Sequence, residues 1–409
     1  MLEIAVCGCG PAGLAAALLL SRGGHRVRIF ERFDTPRPVG SGLILQPTGL
    51  GVVAEMGLIG ETLALGARID RLFGRVLPSN RVVLDVRYGA LGEDCHGVAL
   101  QRTALFGILH RAVAAAGVEI LPAVEIAGIA RHNAQVELLA KDGEDLGRFD
   151  LIVDALGARS PLSAAHARKT ALPYGALWAN IPRPAHASFS ASSLEQRYFR
   201  ASRMAGILPI GRSAPHEPPC AAFFWSLRRD QFEAWRASPL GNWKCEVERL
   251  WPDAAAAIDG ISDHSQLIFA QYDHFTLRAA DSAGLVHIGD AAHCTSPQLG
   301  QGANMALLDA LALARALATE GPLRERLRRY ARMRYWHVRL FQAASAMFTP
   351  FYQSDSRILP LVRDWLAAPL SRLPIGDQVL ARLVSGMTIA PIRESAFAAV
   401  MVGRRLGVE

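Results

Sequence analysis

The strongest constraint on this chain lies in its first 31 residues. Residues 3–7 form an apolar run, and Gly8-x-Gly10-x-x-Gly13 follows at once. Leu14 to Ser21 is rich in Ala and Leu, as a buried helix requires, and His25 to Phe30 is apolar again and ends on Glu31. The order predicts a buried parallel strand, a tight turn, a helix and a second strand. Each glycine has a separate task. Gly8 permits the turn, Gly10 lets a pyrophosphate approach the backbone, and Gly13 lets helix and strand pack closely. Free N–H groups at the helix start favour phosphate. A carboxylate roughly 20 residues past the glycines accepts ribose hydroxyls. Glycines clustered by chance in a loop are the alternative, but they would not carry strand, helix, strand and acid in this order. The predicted fold is α/β, with a Rossmann-like dinucleotide-binding domain.

The chain has 409 residues and is 51% hydrophobic, enough for a large core or for two domains. Its net charge is +7 and its pI about 9.3, a balance that raises nucleic acid as a partner. No dense basic block supports that reading. The arginines at 324, 326, 328, 329, 332 and 334 share one helical stretch and read as a solvated face. Lysine occurs only at Lys141, Lys169 and Lys244. The six cysteines form no CxxC pair, which suits reduced thiols and a cytoplasmic location. With a strand starting at residue 3, no leader peptide is expected, and no apolar run reaches membrane-spanning length.

Further along, Pro36 to Gly42 is a Gly/Pro-rich loop, and 48–58 and 60–66 read as short helices. Residues 69–86 alternate as antiparallel strands do. A helix is predicted over 101–116, strands near 118–121, 125–131 and 135–141, and an apolar strand over 149–154. Between about 173 and 275 helical periodicity nearly vanishes. Short strands take over, with one helix near 239–258. We therefore expect a dinucleotide-binding domain made of 1–71, 101–172 and 276–345. An inserted antiparallel sheet for substrate, 72–100 and 173–275, and C-terminal helices from 346 complete the chain.

A second motif explains why FAD is the expected dinucleotide. Gly289-Asp290-Ala291-Ala292-His293 ends a strand, then come Pro297 and Gly300-Gln301-Gly302-Ala303-Asn304 at the start of a long helix. Asp290 is placed to bind a ribityl chain. The helix start offers amides to a reduced flavin's negative pyrimidine edge, worth about 0.3–1 kcal/mol. A plain N-cap and a plain turn are the alternatives.

These residues resemble the FAD-dependent aromatic monooxygenases of the para-hydroxybenzoate hydroxylase type. The resemblance covers roughly residues 1–345. It implies flavin contacts at Gly8, Gly10, Ala12, Gly13, Glu31, Arg32, Gly42, Arg102, Val124, Gly157, Asp290, Pro297, Gly300, Gly302, Ala303 and Asn304. Arg102 takes the place of an arginine near the flavin phosphates, and Arg37 to Gly42 that of a loop against the isoalloxazine. The tail at 348–355 is similar to a segment of ubiquinone and quinolone hydroxylases. The implied activity is hydroxylation of an aromatic or quinolone-like molecule with O2, through a hydroperoxide at flavin carbon 4a. In one respect the chain departs from the family. A middle Asp-Gly pair that serves FAD and NAD(P)H is here Leu156-Gly157, with Asp154 two positions earlier. NADH or NADPH is therefore a contested electron donor, and a flavin reductase is the alternative source.

The cofactor carries the chemistry, so no triad is required. Pro297, Tyr272 and His293 are the candidates beside the reacting atoms, with structural support the stronger reading for His293. Tyr198, Phe224 and Trp225 are the substrate candidates, and ordinary core aromatics are the alternative for each. Flavin halogenases need an early lysine, and residues 1–140 contain none. An isoprenoid-type reductase and a flavin-loaded binding protein are the competing classes. Nucleic acid is not expected as a partner. The tail is expected to pack on the protein rather than to touch a membrane.

Overall fold

The computed structural model describes residues 1–35, 41–132, 135–164, 169–183, 189–277, 284–371 and 373–392. Most of the Pro36–Gly42 loop and Asn133 lie outside them. Two sheets of opposite character organise the molecule. An all-parallel sheet runs in the order Leu285–His287, Leu151–Asp154, Glu3–Cys7, Arg26–Phe30, Glu119–Leu121. Its middle strand is buried on both faces, as the apolar run requires. Ile4 and Val6 face helices Pro11–Arg22 and Gly302–Leu317, which pack on each other. Ala5 and Cys7 face a small antiparallel sheet that brings Ile126, Val136 and Phe149.

The strand predicted over 149–154 divides at Asp150. Asp145–Phe149 joins the small antiparallel sheet, while Leu151–Asp154 enters the parallel one. Asp150 ties the junction to the N-terminal strand. Its amide donates to the Glu3 carbonyl at 2.9 Å and its Oδ2 accepts from the Glu3 amide at 2.9 Å.

The second sheet has seven strands, in the order Ile268–Ala270, Tyr174–Pro182, Cys220–Arg228, Arg203–Pro209, Ser193–Phe199, Arg71–Val76, Arg81–Arg87. The last two form the antiparallel hairpin that their alternation predicts. They join the rest in parallel, through Ser193–Phe199. Alternation fixes which face a side chain takes and says nothing of a neighbour's direction.

Successive residues of this sheet serve different cores. Leu177, Ala179, Phe223 and Trp225 point to a back face covered by Trp243, Val247, Ala254 and Ile258. Those four lie on two helices, Leu240–Leu250 and Pro252–Ile258, where one was predicted. Pro252 has no N–H and holds Trp251 extended (φ −148, ψ 81), which breaks the run. Trp178, Tyr198, Ala222 and Phe224 point to the front face, toward the nucleotide-binding part and the C-terminal helices. Helix Leu323–Tyr352 crosses the expected boundary at 345 and packs against Gly302–Leu317. Among the described residues no helix is long and apolar enough to cross a membrane. No group of His, Cys, Asp or Glu among them could hold a metal ion.

Candidate FAD and substrate site

The glycines of the first turn separate into two kinds. A Cβ on Gly13 would stand 1.9 Å from the Gly8 carbonyl oxygen, and one on Gly8 would stand 2.7 Å from that of Ala155. Gly8 also has φ +104, and its amide donates to the Phe30 carbonyl at 2.8 Å. Gly10 differs: a Cβ there would meet nothing within 4 Å. It is the N-cap of helix Pro11–Arg22, so the open space lies where that helix presents its free amides. Ala12 is buried and faces Gly289, bringing the two motifs together at one edge of the parallel sheet.

Glu31 is buried. Its Oε2 accepts from the Cys9 amide at 2.8 Å and its Oε1 from the Phe33 amide at 3.1 Å. Each oxygen keeps a second lone pair, so the carboxylate braces the turn and remains able to accept further. Arg32 is exposed with its guanidinium 4.7 Å from the Phe33 ring centroid, and the Val124 amide donates to the Glu31 carbonyl at 2.9 Å.

In the second motif Asp290 and Pro297 are exposed and Gly302 and Ala303 half-buried. A Cβ on Gly302 would lie 4.0 Å from Asp290 Oδ1. Helix Gly302–Leu317 has no side-chain cap, which leaves its first amides free. Gly300 turns the chain at φ +61. Asn304 is buried with both of its side-chain N–H groups and one Oδ1 lone pair in use. Its Oδ1 accepts from the Gln46 amide (2.8 Å), and its Nδ2 donates to the carbonyls of Ile44 (3.0 Å) and Gly300 (2.9 Å). The side chain thus locks the turn to strand Gly42–Leu45. Beside Gly300, buried Gln46 accepts from Tyr88 Oη at 2.6 Å and keeps its Nε2 without a partner among the described residues.

Behind this motif lies a buried ionic network that sequence reading missed. Asp309 Oδ2 accepts from the Gly289 amide at 2.9 Å and pairs with His293 Nε2 at 2.6 Å. Its Oδ1 accepts from Arg334 Nε at 2.7 Å. Burial raises the Asp309 carboxyl, but the His293 and Arg334 charges and hydrogen bonds outweigh it and hold the group well below the usual carboxylate range. One signal was available: Asp309 is the lone acid in an Ala/Leu helix. His293 has its Nε2 turned inward, and the ring is buried.

His337 closes the network. Its ring donates from Nε2 to the Gly386 carbonyl at 3.1 Å, and Nδ1 faces Arg334 Nη1 at 3.4 Å. Burial, followed by the Arg334 charge, pushes its pKa down to about 3. The unfolded chain therefore binds this proton near pH 6.5 and the folded chain does not. Stability is expected to fall as pH drops from about 6.5 toward about 3, by about 2 kcal/mol at pH 5 from this group. Urea unfolding of His337→Gln should show a shallower acid slope across that window than the parent, and equal slopes would refute the assignment.

The middle segment is closed to charge. Leu156 packs in the apolar cluster of Phe30, Phe149 and Leu162. Asp154 is buried, and its Oδ2 accepts from Ser160 Oγ (2.7 Å) and pairs with His287 Nδ1 (2.7 Å), while its Oδ1 accepts from the Leu156 amide (3.1 Å). Gly157 turns at φ +79, with open space where a Cβ would stand.

The front face of the large sheet carries an aromatic cluster in which Phe224 is buried and Trp178 and Tyr272 are half-buried. Phe224 lies over Gly206, where a Cβ would stand 2.1 Å from its ring, and its centroid is 4.8 Å from that of Trp178. Trp178 Nε1 donates to Tyr272 Oη at 3.0 Å. Burial pushes the Tyr272 phenol up to about 12, against the opposing effects of that hydrogen bond and of Arg102. It therefore stays protonated at neutral pH. Arg102 is exposed at the start of helix Arg102–Ala115 and makes no side-chain hydrogen bond or ion pair among the described residues. Gly42 packs against Ile210, and the adjacent Ser41 hydroxyl donates to Asn180 Oδ1. That contact joins the nucleotide-binding part to the strand that carries Trp178.

The other two substrate candidates differ in placement. Trp225 follows Phe224 in the strand and so faces the back, with its ring 6.5 Å from that of Trp243. Tyr198 is on the front face but is buried. It donates to Gln196 Oε1 at 2.9 Å and is flanked by Tyr352 and Arg363. Trp178 and Asn180, not singled out from sequence, occupy alternate positions of one strand and share the front face.

The arrangement suits FAD. The space above Gly10, the exposed Asp290 and Pro297, the free helix starts at 11 and 302, and Arg102 and the Gln46 side-chain amide, both without a side-chain partner for these groups among the described residues, supply what a pyrophosphate, a ribityl chain and a flavin ring require. Comparison with known proteins agrees. The FAD binding domain family model matches residues 1–338. The chain is 27% identical to 6-methylpretetramide 4-monooxygenase of Streptomyces rimosus, over 97% of this chain and 95% of that one. It is 28% identical to 3-amino-4-hydroxybenzoate 2-monooxygenase of Streptomyces cremeus, over 81% and 83%. Its fold is similar to that of 2-methyl-3-hydroxypyridine-5-carboxylic acid oxygenase, with TM-score 0.75, 20% identity and coverage of 93% and 95%.

Proposed function

The chain belongs to the FAD binding domain family and is an FAD-dependent monooxygenase, and from that premise we propose that it hydroxylates an aromatic or quinolone-like small molecule held on the front face of the seven-stranded sheet. The observation that carries this reading is the cluster of Phe224, Trp178 and Tyr272, facing the nucleotide-binding part with a protonated phenol at its end. On this reading residues 72–100 and 173–275 form the substrate-side module. The relatives' names, which refer to ring compounds, point the same way.

FAD, when bound, supplies electrons to O2 and delivers one oxygen atom to the ring. The chain's own residues have three tasks. The helix starts at Pro11 and Gly302, with Arg102, neutralise negative charge on the cofactor. Phe224 and Trp178 hold an aromatic ring flat and keep water from it. The Tyr272 hydroxyl already accepts from Trp178, which orients its own proton toward a ring oxygen of the substrate. His293, paired to Asp309, positions the Gly289–His293 turn. Tyr272→Phe is expected to leave FAD binding unchanged and to lower kcat/KM by about 10- to 100-fold, the equivalent of about 1.4–2.7 kcal/mol. Steady-state kinetics beside a flavin titration would check this, and unchanged kcat/KM would remove Tyr272 from the site.

We further propose that electrons arrive from a flavin reductase or free reduced flavin rather than by direct NAD(P)H binding. Leu156 stands where the family has a carboxylate, and Asp154 is consumed by Ser160, His287 and the Leu156 amide. Stopped-flow mixing of the substrate-loaded enzyme with NADH or NADPH should bleach the flavin slowly. Rapid bleaching by either would overturn the assignment.

A further inference from the structure

Among the described residues, eight of the fourteen exposed large apolar side chains lie between Ile358 and Val379. Ile358, Leu361, Trp365, Leu366, Ile375 and Val379 are each more than half exposed, Trp365 at 67% and Ile375 at 79%. They lie on helices Leu359–Val362 and Pro374–Ser385 and on the residues around them. The inner side of the same segment is firmly seated. Ala368 packs with Tyr198 and Phe224, and Ala381 and Val384 pack with Ile44, Tyr88 and Ala222. The tail was expected to pack on the protein, yet only one side of it does. The outer side is an apolar surface held on a fixed support, a combination that marks an interaction site.

Charge identifies the occupant. Arg81 lays its guanidinium 3.6 Å from the Trp365 ring centroid, and Arg357 and Arg382 are exposed at the two ends of the segment. Two of the nearby carboxylates are already paired. Asp364 is buried and bonded by Arg363 at 2.7 Å, and Asp355 is engaged by Arg228 and by Tyr174. Asp377 is half-buried. The chain as a whole carries +7. An apolar face with tryptophan among its side chains and arginines at its rim complements an anionic lipid surface.

We propose that this face docks on an anionic bilayer, its apolar side chains entering the headgroup boundary and its arginines meeting lipid phosphates. The docking needs no substrate and no turnover. The test is sedimentation of the full-length, FAD-loaded protein with vesicles of phosphatidylcholine alone and of phosphatidylcholine mixed with phosphatidylglycerol. Several-fold more protein should pellet with the anionic vesicles, and high salt or Arg357→Gln with Arg382→Gln should reverse the gain. Trp365→Ser with Ile375→Ser should abolish pelleting while flavin absorbance and the unfolding midpoint hold. Should that pair lose FAD, Leu361→Ser with Val379→Ser takes its place. Absence of pelleting with anionic vesicles, or pelleting that survives the apolar variants, overturns the proposal. So does a concentration-dependent dimer in sedimentation velocity that the same variants dissolve, since the face would then join two copies of this chain.

Discussion

Asp309→Ala is expected to lower the unfolding free energy by about 3–5 kcal/mol, the cost of leaving a buried charge without its partner. Asp309 is enclosed, and so is Arg334, whose Nε has no carboxylate other than Asp309 among the described residues. Removing the acid leaves a guanidinium in the core beside His293 and releases the Gly289 amide. The second motif would lose its brace, so FAD binding should weaken together with stability. Asp309→Asn keeps the volume and one acceptor and should fall between. The pH dependence has a definite sign. The folded carboxyl is held low, so its contribution is complete above about pH 4, the unfolded value, and is lost as pH falls further toward the folded one. This window lies mostly below that of His337, so acid melts of the two single variants can be told apart. Urea melts of the apoprotein at pH 7 check the main expectation. A loss under about 1 kcal/mol would mean that Arg334 finds other compensation.

That network also marks the limit of what could be read beforehand. The first motif was legible because each part of it is local: an apolar strand, glycines at fixed offsets, a helix and a terminal acid. The second was legible for the same reason, and together they led to FAD. The parallel sheet and the large antiparallel one follow from the change of hydrophobic period near residue 173. Long-range partnership was not legible. Asp309 and Arg334 are ordinary residues until two helices pack. The parallel junction between 71–76 and 193–199 leaves no local trace. Trp225 was chosen with Phe224 by type, although neighbours on a strand must face opposite ways. Asn304 was expected to serve the flavin, and what the sequence could not show is that its side chain joins Gly300 to Ile44 and Gln46.

Gly13→Ala and Gly10→Ala should behave as opposites, although they are the same substitution three residues apart. At Gly13 the new methyl would stand 1.9 Å from the Gly8 carbonyl oxygen, so either the turn must open or the helix must shift. The apoprotein should lose about 3 kcal/mol or more, the upper range for overpacking, and with it the FAD site. At Gly10 the methyl enters open space, so apoprotein stability should stay within about 1 kcal/mol of the parent. The same methyl occupies the approach of a pyrophosphate, so FAD affinity should still drop by about two orders of magnitude, about 2.7 kcal/mol. Melting of the apoproteins separates the two, and flavin titration shows what they share. Equal destabilisation by both would mean that the first turn is merely a tight turn.

The account rests on one cofactor bridging two motifs that are remote in sequence. The most direct measurement is titration of the apoprotein with FAD, followed by flavin fluorescence, for the parent, for Gly10→Ala and for Asp290→Ala. The parent should take up one FAD per chain, and each variant should bind it more weakly while its apoprotein melts as the parent does. A parent that stays colourless, or an Asp290→Ala protein that binds FAD as tightly as the parent, would contradict it.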